Sequence, residues 1–367
     1  MALGGDTTTT RRPGIRRTRI RRGRSRRLGL VGAALVLVLV AAACEAAPGD
    51  FTGDRKADEV TYDFNGNWYQ QGVAAPIWTG PSMNGTGSPA FAVPGDYNGD
   101  GKWEPAELVG TTWTSSALAS PIDYDPAGMP VGPPATPGPL PGLSIIGSLP
   151  TLLPVPGDYD GTGTTVPAYY DQVDASWWIT GHAGSVHFGT PPAAGGNWGF
   201  SVPVPADYDG DGKTDIAVYD PPTATFHYLS SKTGLEVSLQ EGQPGDFPVP
   251  GDYDKVGHAE AAVTDWSFLT WCVTGHSGAF ATFPTAGSDY FVPVQADYDG
   301  DAKTDPGVYD VPAGTWSIVG QPAATSASDA VRPAVTSPAL LVNIVRLTYF
   351  DRGLEQAFGP PRSCASS

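Results

Sequence analysis

The sequence predicts an all-β fold, a β-propeller of six or seven four-stranded blades, and three observations carry that prediction. The first is a repeat. The stretch 203–220, PVPADYDGDGKTDIAVYD, has variants starting at Asp50, Asp96, Asp158, Asp252 and Asp297, which with Asp207 makes six copies. Their starts lie 46, 62, 49, 45 and 45 residues apart, close to the length of one blade except for the second interval. The second observation is strand patterning, about four short segments per copy separated by turn residues. The third is composition. The 47 Gly and 37 Pro suit a turn-rich β protein, while 10 Trp, 15 Tyr and 13 Phe supply a core that a disordered chain lacks.

In chain order, residues 1–44 read as a secretory signal. Arg11 to Arg27 is basic, Leu28 to Ala43 is an uncharged, mostly apolar run, and small residues lead to Cys44. The run is shorter than the ~20 residues of a spanning helix, so a retained anchor is the second reading. Ala41-Ala42-Ala43-Cys44 resembles a bacterial lipoprotein lipobox, which would place a lipid on Cys44, although Ala41 stands where leucine is usual. The alternative is a plain A-x-A cleavage beside an incidental cysteine. Ser25-Arg26-Arg27 resembles part of a twin-arginine signal, with Gly29 where a bulky apolar residue is favoured.

The repeats occupy 45–320. In the clearest copy, Phe200 to Val204 leads into the loop and Asp215 to Tyr219 leads out of it. Pro221-Pro222-Thr223 turns the chain, Thr225 to Leu229 follows, Ser231 to Gly234 turns it again, and Leu235 to Leu239 closes the set. Trp177 to Thr180, Phe268 to Thr274 and Thr315 to Val319 fall at one equivalent strand. Their aromatic rings suit packing between blades, with a sugar-binding platform as the alternative. A Pro- and Gly-rich insert at 121–154, including PVGPPATPGPLPG, accounts for the 62-residue interval and predicts an extended surface loop.

Residues 321–367 form a linker and a C-terminal segment. Leu340 to Phe350 (LLVNIVRLTYF) fits a strand or a short helix. Few residues precede Asp50 once the signal is removed, so this segment is a candidate to pair into the first blade and close the ring. Cys272 and Cys364 can pair in an oxidising compartment and pin the tail to the fifth copy; two separate thiols are the alternative.

Charge and loop chemistry agree. The formal net charge is −17, but residues 1–44 hold ten arginines and one acid, so the remainder has 11 basic and 37 acidic residues. Such a surface excludes nucleic acid as a partner, because phosphates demand a basic face. The 207–215 loop places acids at its first, third, fifth and ninth positions and a backbone carbonyl at its seventh. Hard cations such as Ca²⁺ take six to eight oxygens, and such a loop supplies most of them.

These loops and their flanking strands resemble the FG-GAP repeats, also grouped as VCBS-type repeats, of integrin α-subunit propellers and many bacterial surface proteins, over residues 48 to about 320. The resemblance implies a β-propeller with structural Ca²⁺ in hairpin loops. Carried over, it implies Asp207, Asp209, Asp211 and Asp215 as side-chain ligands with the Lys213 carbonyl; Asp96, Asn98, Asp100 and Glu104 with that of Lys102; and Asp297, Asp299, Asp301 and Asp305 with that of Lys303. Ala302 replaces the turn glycine in the last of these, which predicts strain. Asp50, Thr52, Asp54 and Asp58 with the Lys56 carbonyl form a weaker set, since Arg55 stands at the glycine place. The loops at 158–166 and 252–260 have Thr162 or Val256 at the fifth position, and Val166 at the ninth position of the former, so no tight site is expected there.

Catalytic signatures are sparse. Gly275-His276-Ser277-Gly278 lacks the spacing of a nucleophile elbow, and Thr180-Gly181-His182-Ala183-Gly184 repeats it without the serine, so both read as hairpin turns. The reading is therefore a non-catalytic, Ca²⁺-stabilised, monomeric propeller, exported or lipid-anchored at the outer cell surface, that binds a protein or carbohydrate ligand. A secreted glycosidase or lyase on the same scaffold is the alternative, and a purely structural envelope component is a third reading.

Overall fold

Each repeat folds into its own antiparallel sheet, because its short alternating segments are separated by tight, glycine-rich turns. In a computed structural model, the described residues are 1, 49–63, 65–81, 90–123, 145–146, 149–150, 152–191, 201–265, 269–284, 291–310, 313–322, 324–325 and 364. Among them are six sheets of three or four strands in a propeller-like arrangement, and one small hairpin. Sheet four is the fullest: Val202–Pro203, Ile216–Asp220, Thr225–Leu229 and Glu236–Gln240, each paired with the next. These bounds lie within one or two residues of those expected from the sequence. Sheets two, three, five and six repeat the four-strand order, and sheet one has three strands, Val60–Tyr62, Asn67–Gln70 and Trp78–Thr79.

The insert at 121–154 is more structured at its ends than an extended loop. Ile122–Asp123 is the outer strand of sheet two, Ile145–Ile146 pairs with Leu149–Pro150, and Leu152–Pro154 opens sheet three. Leu153 and Val155 are buried, and their apolar side chains draw this end of the insert into the sheet. The signal segment, Cys44 and the segment 340–350 lie outside the described residues.

The core is built from the same positions in every repeat. Trp68, Trp113, Trp177, Phe226, Trp271 and Trp316, one per sheet, are 0–2% exposed. Rings buried to that extent pack the scaffold and leave no face for sugar stacking. Trp113 meets Tyr169 of the next sheet edge-on at 5.8 Å, so the rings also join sheet to sheet. The tyrosine after the first aspartate of copies two to six serves a second purpose, while copy one has Phe51 there. Tyr97, Tyr159, Tyr208, Tyr253 and Tyr298 each donate their hydroxyl to the carbonyl four residues earlier, at 2.5–2.9 Å, and so hold the entering strand to the loop.

One hydrogen bond recurs between consecutive loops. The N–H at loop position eight donates to the carbonyl of the first aspartate in the preceding repeat: Trp103 to Asp50, Thr165 to Asp96, Thr214 to Asp158, Ala259 to Asp207 and Thr304 to Asp252, at 2.6–2.8 Å. The sixth member, Ala57 N–H to the Asp297 carbonyl at 2.7 Å, runs from the first loop back to the last. Cys364 is joined to Cys272 of sheet five by a disulfide, with a Cα–Cα distance of 5.6 Å.

Candidate metal centre

Each loop is organised by its first acid. Asp207 is buried, and its two oxygens accept N–H bonds from Gly210 (2.7 Å), Asp211 (3.2 Å) and Gly212 (2.9 Å). Three donors around one carboxylate coil the chain tightly, which requires positive φ at positions four and six. Glycine supplies it at 210 and 212, with φ of 70° and 82°. Ala302 and Arg55 adopt the same region at φ 63° and 68°, so the strain expected at Ala302 is present in the backbone and Arg55 shares it.

The ninth acid closes the loop from the other side. Asp215 accepts the Tyr208 N–H at 2.9 Å and the Ser231 N–H at 2.6 Å, the latter from the next hairpin turn. The third acid, Asp209, accepts from Ser230 Oγ (2.5 Å) and the Lys232 N–H (3.1 Å) of that turn through one oxygen. Its other oxygen, Oδ1, is buried without a hydrogen-bond partner. A buried carboxylate oxygen left bare is costly, and an ordered water or a cation would satisfy it.

Three groups of acids converge so that one oxygen from each lies within 4.8 Å of the others: Asp96, Asp100 and Glu104; Asp207, Asp209 and Asp215; Asp297, Asp299 and Asp305. They sit on loops two, four and six. Desolvation pushes Glu104 up to about 7 and Asp215 and Asp305 up to about 6, with neighbouring acids adding to the shift.

Other expected ligands are held differently. Asp211 Oδ1 accepts from the Lys213 N–H and from Ser231 Oγ, both at 3.0 Å, and Asp301 Oδ1 accepts from the Lys303 N–H at 2.8 Å. These are Asx-type turn contacts, and neither residue belongs to the converging groups. Asn98 donates its amide to Glu104 Oε1 at 2.8 Å and to Asp100 at 3.3 Å. In loop one, Asp58 accepts from the Phe51 and Thr52 N–H groups and from Gln70 Nε2, Asp54 accepts from the Lys56 N–H, and Asp50 holds the turn. That set does not converge among the described residues.

Two features were missed in the sequence. The turn carrying Ser230 and Ser231 braces loop four, although nothing in its spacing announces that contact. Glu107 is fully buried in sheet two and accepts Trp68 Nε1–H of sheet one at 2.9 Å. Its signal is an acid within an otherwise apolar strand position.

No known protein family matches the chain, and no curated protein does. Among solved structures it is similar to BBS1N, determined in complex with ARL6DN from a mercury-soaked crystal, at 12% identity over 78% of this chain and 81% of that one, with a TM-score of 0.39.

Proposed function

We propose that the chain is a closed six-bladed propeller whose second, fourth and sixth loops hold structural Ca²⁺, forming a non-catalytic scaffold that presents a protein- or glycan-binding surface outside the cell. The observation that carries this reading is the convergence of three acids in each of those loops, with a bare buried oxygen on Asp209. The repeat resembles FG-GAP loops, and the oxygen-only donor sets suit a hard cation. Ligands would be Asp207, Asp209 and Asp215 in loop four, Asp96, Asp100 and Glu104 in loop two, and Asp297, Asp299 and Asp305 in loop six. Asp211, Asp301, Asn98 and the position-seven carbonyls of Lys102, Lys213 and Lys303 complete the sets on metal binding. Loop one, with Asp50, Thr52, Asp54, Asp58 and the Lys56 carbonyl, would bind more weakly.

Closure is supported by the hydrogen bond that passes from each loop to the next and returns from loop one to loop six. Export is supported by the basic-then-apolar start and by the Cys272–Cys364 disulfide, a bond kept in oxidising compartments. Cys44 would carry the lipid anchor. Melting the protein in calcium and in EDTA tests the metal role: chelation is expected to lower Tm by ~5 °C or more, and an unchanged Tm contradicts it. A glycan array run with and without calcium tests the binding role, and polysaccharide turnover would overturn the non-catalytic reading.

A further inference from the structure

Loops three and five lack the converging acids of loops two, four and six, and the same substitute stands in both. His182 Nε2 lies 3.0 Å from Asp160 Oδ1, and His276 Nε2 lies 2.8 Å from Asp254 Oδ2. Each aspartate is the third residue of its loop, and each histidine lies 22 residues further on. The histidine closes a tight turn in both cases, its N–H donating at 3.1 Å to Ile179 or Val273, with Gly181 or Gly275 at φ 86° or 85° before it. Thr180 and Thr274 fix the start of the turn by donating their hydroxyls to the carbonyls of Pro167 and Ala261. The backbone from which each imidazole projects is therefore set by a hydrogen-bonded hairpin.

The corresponding turn position differs in other repeats. Gln321 occupies it in repeat six and Val73 in repeat one, each closing the same turn after Gly320 or Gly72. In repeat four, Ser230 and Lys232 hold the third acid. Histidine thus stands at the turn in the two repeats whose fifth loop position is Thr162 or Val256.

We propose that protonated His182 and His276 serve as built-in cations for loops three and five, which therefore tighten with protons where loops two, four and six tighten with metal. Imidazole changes charge between about pH 5 and 8, and in the cationic form Nε2 always carries a proton to donate. The charged group facing His182 is Asp160, with Asp158 the other acid of that loop. His276 faces Asp254, which interacts with Glu260, an acid that Asp252 also approaches, and the imidazole lies T-shaped to Phe280 with centroids 4.8 Å apart. The metal reading supplies only the contrast; the histidine contacts are independent of it.

The test is peptide-level hydrogen exchange on the full chain in EDTA at pH 5.5 and 8, corrected for intrinsic rates. Peptides covering 158–166 and 252–260 are expected to be about two- to fivefold better protected at pH 5.5, the scale of a partly exposed ion pair. His182→Gln and Asp160→Asn should each remove that difference in 158–166 alone, and His276→Gln in 252–260 alone. Protection that is independent of pH in the parent, or a difference that survives these substitutions, overturns the proposal. Calcium is then added in a second arm. If 96–104, 207–215 and 297–305 ignore calcium while the histidine effect persists, the metal reading falls and the proton latch stands.

Discussion

Glu107 shows how one side chain sets the pH response of a packed interface. Burial pushes its carboxyl up to about 7, against the lowering effect of the Trp68 N–H, and Asp63 adds to the rise. A raised folded-state value means that stability is fully present below the unfolded value near 4.5 and declines as pH rises toward about 7. The loss is on the order of 3 kcal/mol once the group is ionised. Glu107→Gln keeps an acceptor for Trp68 and is expected to raise stability by about 1–3 kcal/mol at pH 8, with little change at pH 4. Denaturant melts at the two pH values check the sign; an equal effect at both contradicts it. Backbone strain is the second residue-scale feature. Ala302→Gly and Arg55→Gly relieve positive φ and should each stabilise by about 0.5–1 kcal/mol, read as a higher Tm.

At the scale of the element, loop four is an N–H cage around its first acid, closed by the ninth and braced by the following turn. Much of this was legible in the sequence: alternate acids, glycines at 210 and 212, and the aromatic at 208 foretell a tight loop tied to strands. The pattern does not reveal which acids converge. Positions three and five look equivalent in Asp209 and Asp211, yet the Ser231 hydroxyl engages Asp211, whereas Asp100 converges although it shares the position-seven N–H contact. Asp209 is left with a bare oxygen, because its other oxygen alone meets the Ser230 turn. Contacts such as His182 with Asp160 were hidden for a related reason, since they depend on how a hairpin folds back over a loop 22 residues away. The disulfide joins the chain's end to the third strand of sheet five. Replacing both cysteines by alanine is expected to cost about 2–4 kcal/mol, measured by denaturant melts without reductant.

In the proposed closed ring each sheet would have two neighbours. Sequence periodicity made six units visible, but it carried no information on how the first meets the last. The Ala57-to-Asp297 hydrogen bond links the first loop to the last, and among the described residues sheet one has three strands with Val60–Tyr62 at its edge. If 340–350 fills that edge, deleting 338–367 destabilises the protein well beyond Cys272→Ala alone; equal melting of the two variants refutes the pairing.

The acidic surface and the repeated loops meet in one quantity, the number of calcium ions that the chain is proposed to hold. Isothermal titration of the metal-free protein is the direct measurement. Three comparably tight ions per chain are expected, any fourth at loop one being clearly weaker, and Asp209→Ala should remove one tight site. A chain that takes up no calcium, or whose binding is unchanged by Asp209→Ala, contradicts the account.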